Sequence, residues 1–154
     1  MATVYIGIGS NVGDRRANVD RALGLLNEDE DIEVLSVSAF IETEAVGGPL
    51  QGRFLNGAAK IQTDLLPLEL LSRLKAVERR LGRTKPEQNA PRTLDIDILF
   101  YDDVVIADGK TLKVPHPRLA ERFFVLKPLS EIAPGLVHPR LQKTVAELLS
   151  ELTG

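Results

Sequence analysis

An α+β sandwich, in which a mainly antiparallel sheet is covered by helices, is the fold class that three features of this chain predict. Strand-like and helix-like runs alternate in the order strand, helix, strands, helix, strand, without repeats or low-complexity tracts. One segment carries apolar residues at clean helical spacing. Another alternates apolar residues with carboxylates at a period of two. With 154 residues and 44% hydrophobic content, the chain can bury one substantial core. Its composition does not shift along its length, so residues 1–154 are expected to form a single domain.

Val4 to Ile8 is a β-rich run ending in Gly7-Ile8-Gly9-Ser10-Asn11-Val12-Gly13-Asp14, which reads as a tight strand-to-helix turn with Asp14 as helix cap. Val19, Leu23 and Leu26 then recur at helical spacing, and Glu28 to Asp31 is a solvated acidic turn. Ile32 to Ile41 is a strand candidate, broken off by Gly47-Gly48-Pro49. Phe54 to Ile61 is the next strand. Pro67 opens a helix with the stripe Leu70, Leu74, Val77, Leu81, and Gly82 ends it. Arg83 to Pro91 is polar and holds two prolines, which makes it a loop. Short proline-punctuated pieces follow the next strand. Thr144 and Glu147 have capping-box spacing ahead of Leu148, Leu149 and Leu152, predicting a closing helix.

That next strand, Arg92-Thr93-Leu94-Asp95-Ile96-Asp97-Ile98-Leu99-Phe100, is the most informative stretch. Leu94, Ile96, Ile98 and Phe100 should face one way. Asp95 and Asp97 should share the other face, with Cα atoms ~6.5 Å apart. Two adjacent carboxylates repel, and a hard divalent cation with oxygen ligands is a common remedy. Arg92 supplies a fixed positive charge that can hold a phosphate nearby. Taken alone, a D-x-D pair also suits a half-buried strand with a solvated acidic face.

Other patterns exclude more than they assign. Gly7-x-Gly9-x-x-x-Gly13 misses the dinucleotide-binding spacing by one residue, and no Walker A lysine follows. The net charge of −3 comes without a basic run, so small-molecule chemistry is favoured over nucleic acid or membrane binding. The absence of cysteine removes thiolate and disulfide chemistry. The start Met1-Ala2-Thr3-Val4-Tyr5-Ile6 lacks a signal-peptide pattern, and a cytoplasmic monomer is expected. Each histidine precedes a proline. His116 lies among cations and aromatics, Arg118, Arg122, Phe123 and Phe124, whereas His138 reads as structural.

Five blocks in order resemble the 6-hydroxymethyl-7,8-dihydropterin pyrophosphokinase family over nearly the whole chain. They are Gly7-Ile8-Gly9-Ser10-Asn11; Phe54-Leu55-Asn56; Glu78 with Gly82-Arg83; Pro91-Arg92-Thr93-Leu94-Asp95-Ile96-Asp97; and Pro115-His116-Pro117-Arg118 followed by Arg122 and Phe124. The resemblance implies a ferredoxin-like sandwich that moves pyrophosphate from ATP to a pterin alcohol in folate biosynthesis, giving AMP and the pterin diphosphate. It implies that Asp95 and Asp97 bind two Mg²⁺ ions on the ATP, with Arg83 and Arg92 beside them in the catalytic set. ATP contacts would come from Glu78, Arg83, Lys85, Arg92, His116, Arg118 and Arg122. Thr43, Val46, Phe54, Asn56 and Phe124 would form the pterin pocket. The segment Thr84 to Ala90 departs from better-known members: it is one residue shorter and lacks their additional arginine and tryptophan, so its closing contacts must differ. Pro117 stands where some members carry a tyrosine. The rival readings are a different two-metal phosphotransferase or nucleotidyltransferase, and a non-catalytic ferredoxin-like binding module. A module would not need Asp95, Asp97, Arg92 and His116 together.

Overall fold

The computed structural model describes residues 1–43, 53–82, 94–109 and 111–154. In chain order it contains β1 (Ala2–Ser10), α1 (Arg15–Glu28), β2 (Ile32–Val37), β3 (Ile41–Thr43), β4 (Phe54–Thr63), α2 (Pro67–Arg80) and β5 (Asp95–Tyr101). There follow the short pair β6 (Ile106–Asp108) and β7 (Leu112–Val114), a 3₁₀ turn at Leu119–Glu121, α3 (Phe123–Ile132) and α4 (Val145–Thr153). The main sheet runs β2-β4-β1-β5 with every pairing antiparallel, and β3 extends the β2 side along β4. Each of α1 and α2 therefore connects strands separated by one other strand, which is the split β-α-β arrangement of a ferredoxin-like sandwich.

Capping explains several helix boundaries. The Asp14 carboxylate accepts from the Ala17 N–H at 3.0 Å, and Thr144 and Glu147 satisfy each other's backbone N–H groups. Gly82 takes a φ of +113° just past α2, a conformation that a side chain would oppose. One sheet face packs Val4, Ile6, Ile8 and Ile61 against Val19, Ala22 and Leu26 of α1 and Leu70 and Leu74 of α2. The opposite face packs Tyr5, Ala58, Leu99 and Phe100 against Leu126 and Leu129 of α3 and Val145 and Leu148 of α4. No helix among the described residues is long and apolar enough to cross a membrane.

Four expectations change. Phe100 does not share a face with Leu94, Ile96 and Ile98. The register with β1 shifts between Tyr5 and Ile6, and this bulge turns both Leu99 and Phe100 toward α3 and α4. The strand expected over 32–41 is two strands, because at Ser38 the side chain replaces the carbonyl in the ladder: the Ser38 N–H still donates to the Ala58 carbonyl at 2.9 Å, but its Oγ accepts from the Ala58 N–H and donates to the Ala39 carbonyl, both at 2.8 Å. Helix α3 was hidden by Pro128, which sits inside it. Burial of Leu126, Pro128 and Leu129 outweighs the missing N–H donor. Lastly, Gly7 and Gly9 belong to β1 and not to a turn.

Candidate active site

Strand register builds the site. Gly9 lies opposite Asn56 of β4 on one side and Asp95 of β5 on the other, and Gly7 likewise lies between Ala58 and Asp97. Three strands thus present two parallel rows, Asn56–Gly9–Asp95 and Ala58–Gly7–Asp97, on one face. Because the middle residue in each row lacks a side chain, a trough runs between β4 and β5, roughly 10 Å wide at two strand spacings. It deepens into a cavity lined also by Thr43, Phe54, Leu99, Arg122, Phe124 and Val125. Gly9 is required for space, since a Cβ there would lie 2.6 Å from Asn56 Oδ1, whereas one on Gly7 would make only ordinary contact with Leu99 at 3.5 Å and fill the trough floor.

Asn56 is held in place. Its Nδ2 donates to Thr43 Oγ1 at 3.0 Å, while Oδ1 is directed over Gly9, so the amide offers both a donor and an acceptor at the trough wall. Phe54 and Phe124 flank the same cavity from β4 and from the first turn of α3. Arg122 lies just ahead of α3 with its guanidinium 5.5 Å from the Phe124 ring centroid, which fixes a cation at the cavity wall.

Asp95 and Asp97 converge on the opposite wall, as the period of two predicts. Burial, reinforced by the charges of Asp95 and Glu78, pushes the Asp97 carboxyl up to about 7, against smaller pulls downward from Lys75 and Arg122. A half-buried carboxylate pair under this repulsion is a donor set that an oxygen-seeking divalent cation fits. Among the described residues no group of three or more His, Cys, Asp or Glu gathers to hold an ion. Phosphate and water are suited to supply further oxygen ligands to such a cation.

Two of the nominated residues, Glu78 and Arg118, do not line this cavity. Glu78 is only 1% exposed. Its Oε2 accepts from the Ile96 N–H at 2.7 Å, and its Oε1 lies 3.7 Å from Lys75 Nζ. Since Ile96 separates the two aspartates, Glu78 anchors to α2 the strand that carries them. Arg118 is exposed, 3.9 Å from Glu121, and does not line the cavity. His116 is half-buried and tied to β5 through its backbone N–H to the Leu99 carbonyl at 3.0 Å. Burial lowers its pKa, with Arg122 and Arg118 lowering it further against the opposing charge of Asp95. Its Nδ1 accepts from the Arg118 N–H at 3.3 Å, which leaves Nε2–H as the donor of a neutral ring.

Val46, Arg83, Lys85 and Arg92 lie outside the described residues. His138 is structural as expected: it is buried, its Nδ1 accepts from the Arg140 and Leu141 N–H groups at 3.1 Å, and its ring packs edge-on to Phe100. What sequence reasoning missed is the pair Gly7 and Gly9 as the trough floor. The signal was present, since glycines at a spacing of two inside a β run leave one face of a strand bare.

Residues 5–134 match the family model of 7,8-dihydro-6-hydroxymethylpterin-pyrophosphokinase (HPPK). The chain is 46% identical over 153 residues to the 2-amino-4-hydroxy-6-hydroxymethyldihydropteridine pyrophosphokinase of Aquifex aeolicus, covering 99% of this chain and 94% of the relative. To the Bacillus subtilis enzyme of the same name it is 45% identical over 128 residues, 83% of this chain and 76% of that one. Among solved structures, a crystal structure of HPPK-DHPS in complex with substrates superposes with a TM-score of 0.76 at 14% identity. That match covers 97% of this chain but only 43% of the solved chain, and it supports the ferredoxin-like fold.

Proposed function

The chain belongs to the 7,8-dihydro-6-hydroxymethylpterin-pyrophosphokinase family, and from that premise we propose how its own residues carry the reaction. The enzyme transfers pyrophosphate from ATP to the hydroxymethyl group of 6-hydroxymethyl-7,8-dihydropterin, giving AMP and the pterin diphosphate in folate biosynthesis. The observation that carries the residue assignment is the glycine-floored trough with an amide on one wall and two carboxylates on the other.

A pterin is a flat, hydrogen-bonding bicycle. Phe54 and Phe124 offer rings to stack on it, and Asn56, oriented by Thr43, offers a donor and an acceptor to its edge. The hydroxymethyl oxygen would then point across the bare floor toward Asp95 and Asp97. That oxygen forms a bond to the β-phosphorus while the bond from the β-phosphorus to the α,β-bridging oxygen breaks and AMP departs. The alcohol proton is lost to water. Arg122 stabilises the phosphate charge as a fixed cation, and neutral His116 adds a hydrogen bond from Nε2.

Asp95 and Asp97 would hold Mg²⁺, and we take two ions as the complement. Held there by the two carboxylates, the metal would supply charge neutralisation for the phosphates. Arg83, Lys85 and Arg92 complete the ATP contacts on the family pattern. Residues 1–154 act as one catalytic unit, cytoplasmic and monomeric, with ATP and the pterin alcohol as its partners. Incubation with ATP, Mg²⁺ and the pterin alcohol tests the reading. AMP as the nucleotide product, dependent on Mg²⁺, is expected, and ADP or metal-independent turnover would refute it.

A further inference from the structure

Arg15 begins α1 and does not line the cavity, yet its guanidinium ties together the two strands that form one cavity edge. One arm donates to the Arg53 carbonyl at 2.8 Å, and the other pairs with Glu42 Oε1. Glu42 lies on β3, and Arg53 immediately precedes β4. The last described rung between those strands pairs Thr43 with Phe54, both of which line the cavity. Side chains alternate along a strand, so Glu42 turns away from the cavity while its neighbour Thr43 turns toward it and accepts from Asn56. Arg15 thus grips the last rung from behind. The next residue braces the same corner, with the Arg16 guanidinium 5.4 Å from the centroid of Phe40, which packs over Gly57 of β4.

The three residues of β3 make few ladder bonds of their own, and such short elements open locally at little cost. An exposed ion pair adds little to global stability. The same contact can nevertheless decide how often the Thr43–Phe54 rung is closed. Two separate acceptors, each met by its own nitrogen, suit the rigid fork of a guanidinium better than an ammonium, whose three donors share one nitrogen. The geometry points to Arg15 as a positioning residue for substrate affinity: it acts through Thr43 and Phe54 to hold Asn56 and the aromatic wall in their pterin-binding arrangement. This inference rests on the assignment of that cavity to the pterin alcohol.

The test combines steady-state kinetics, pterin titration in the presence of a non-hydrolysable ATP analogue, and thermal melting for Arg15→Ala, Arg15→Lys, Glu42→Gln and Asn56→Ala. Arg15→Ala should raise the pterin Kd and KM roughly fivefold, leaving kcat, the KM for ATP and Tm close to wild type. Arg15→Lys should restore only part of the affinity. Glu42→Gln should lose less than Arg15→Ala and add little to it in the double variant. Normal pterin binding by Arg15→Ala alongside weakened binding by Asn56→Ala would overturn the inference while leaving the pocket assignment standing. Equal losses for pterin and ATP, or full rescue by lysine, would overturn it as well. Unchanged pterin binding by Asn56→Ala would remove the pocket assignment, and the role of Arg15 with it.

Discussion

Replacing Asp97 by Asn should stabilise the metal-free protein at neutral pH while abolishing most activity. The Asp97 carboxyl is pushed from 3.8 to about 7, first by burial and then by the Asp95 and Glu78 charges. A carboxyl whose folded pKa lies above its unfolded one holds its proton more tightly when folded. Its contribution is therefore fully present below pH 3.8 and is lost as the pH rises through about 7. At ~1.4 kcal/mol per unit, the rise of some three units corresponds to about 4 kcal/mol across the window, of which about 3 kcal/mol falls between pH 5 and pH 8. Asparagine resembles the protonated acid in shape and does not titrate. Urea denaturation in EDTA at a series of pH values should show the variant gaining on wild type by that amount as pH increases. The difference should then level off above about pH 8. Mg²⁺ with a non-hydrolysable ATP analogue should restore wild-type stability and leave the variant almost unmoved. Parallel pH–stability curves for the two proteins would show that Asp97 is an ordinary carboxylate, and the electrostatic case for a cation site would fail.

Gly9→Ala places a Cβ 2.6 Å from Asn56 Oδ1, and Asn56 is restrained by Thr43; pterin affinity should fall at least tenfold, on the order of 1.4 kcal/mol, with ATP affinity unchanged in separate titrations. Gly57→Ala directs a Cβ to 2.5 Å from the Phe40 ring, and denaturation should show a loss of about 1–3 kcal/mol. Arg92→Ala should lower kcat/KM by ~100-fold or more. Lys85→Ala should cost less, because an ammonium on a flexible stem is a poorer fixed donor than a guanidinium beside the aspartate strand. Kinetics that reverse this ranking would refute the assignment of Arg92 to the phosphate.

The parts of this fold legible in the sequence are those encoded by spacing within one element. The period of two in Leu94 to Ile98 correctly places Asp95 and Asp97 on one face, and the stripe Leu70, Leu74, Val77 correctly predicts α2. The pattern failed where a neighbouring strand decides the outcome. Phe100 changes face because β1 imposes a register shift, and no property of residues 94–100 alone announces it. Pro128 argues against helix locally and is overruled by burial against the sheet.

The site was divided in the same way. The carboxylates could be nominated by their spacing, and the aromatics and Asn56 by the family resemblance, but the trough exists only because β1 runs between β4 and β5 with glycines at the two rungs where Asn56, Asp95 and Asp97 lie. Glu78 makes the same point from the opposite direction: resemblance nominated it as a nucleotide contact, and only the fold shows that it also accepts from the Ile96 N–H on the outer edge of β5. An edge strand with an unpaired N–H between two mutually repelling carboxylates would be free to twist. A buried acceptor on α2 prevents that, at the expense of adding a third negative charge beside Asp97. Glu78 thus contributes both to the rigidity of the strand that carries Asp97 and, after burial and the Asp95 charge, to the elevation of its carboxyl. Removing Glu78 should lower the Asp97 pKa and loosen its position together.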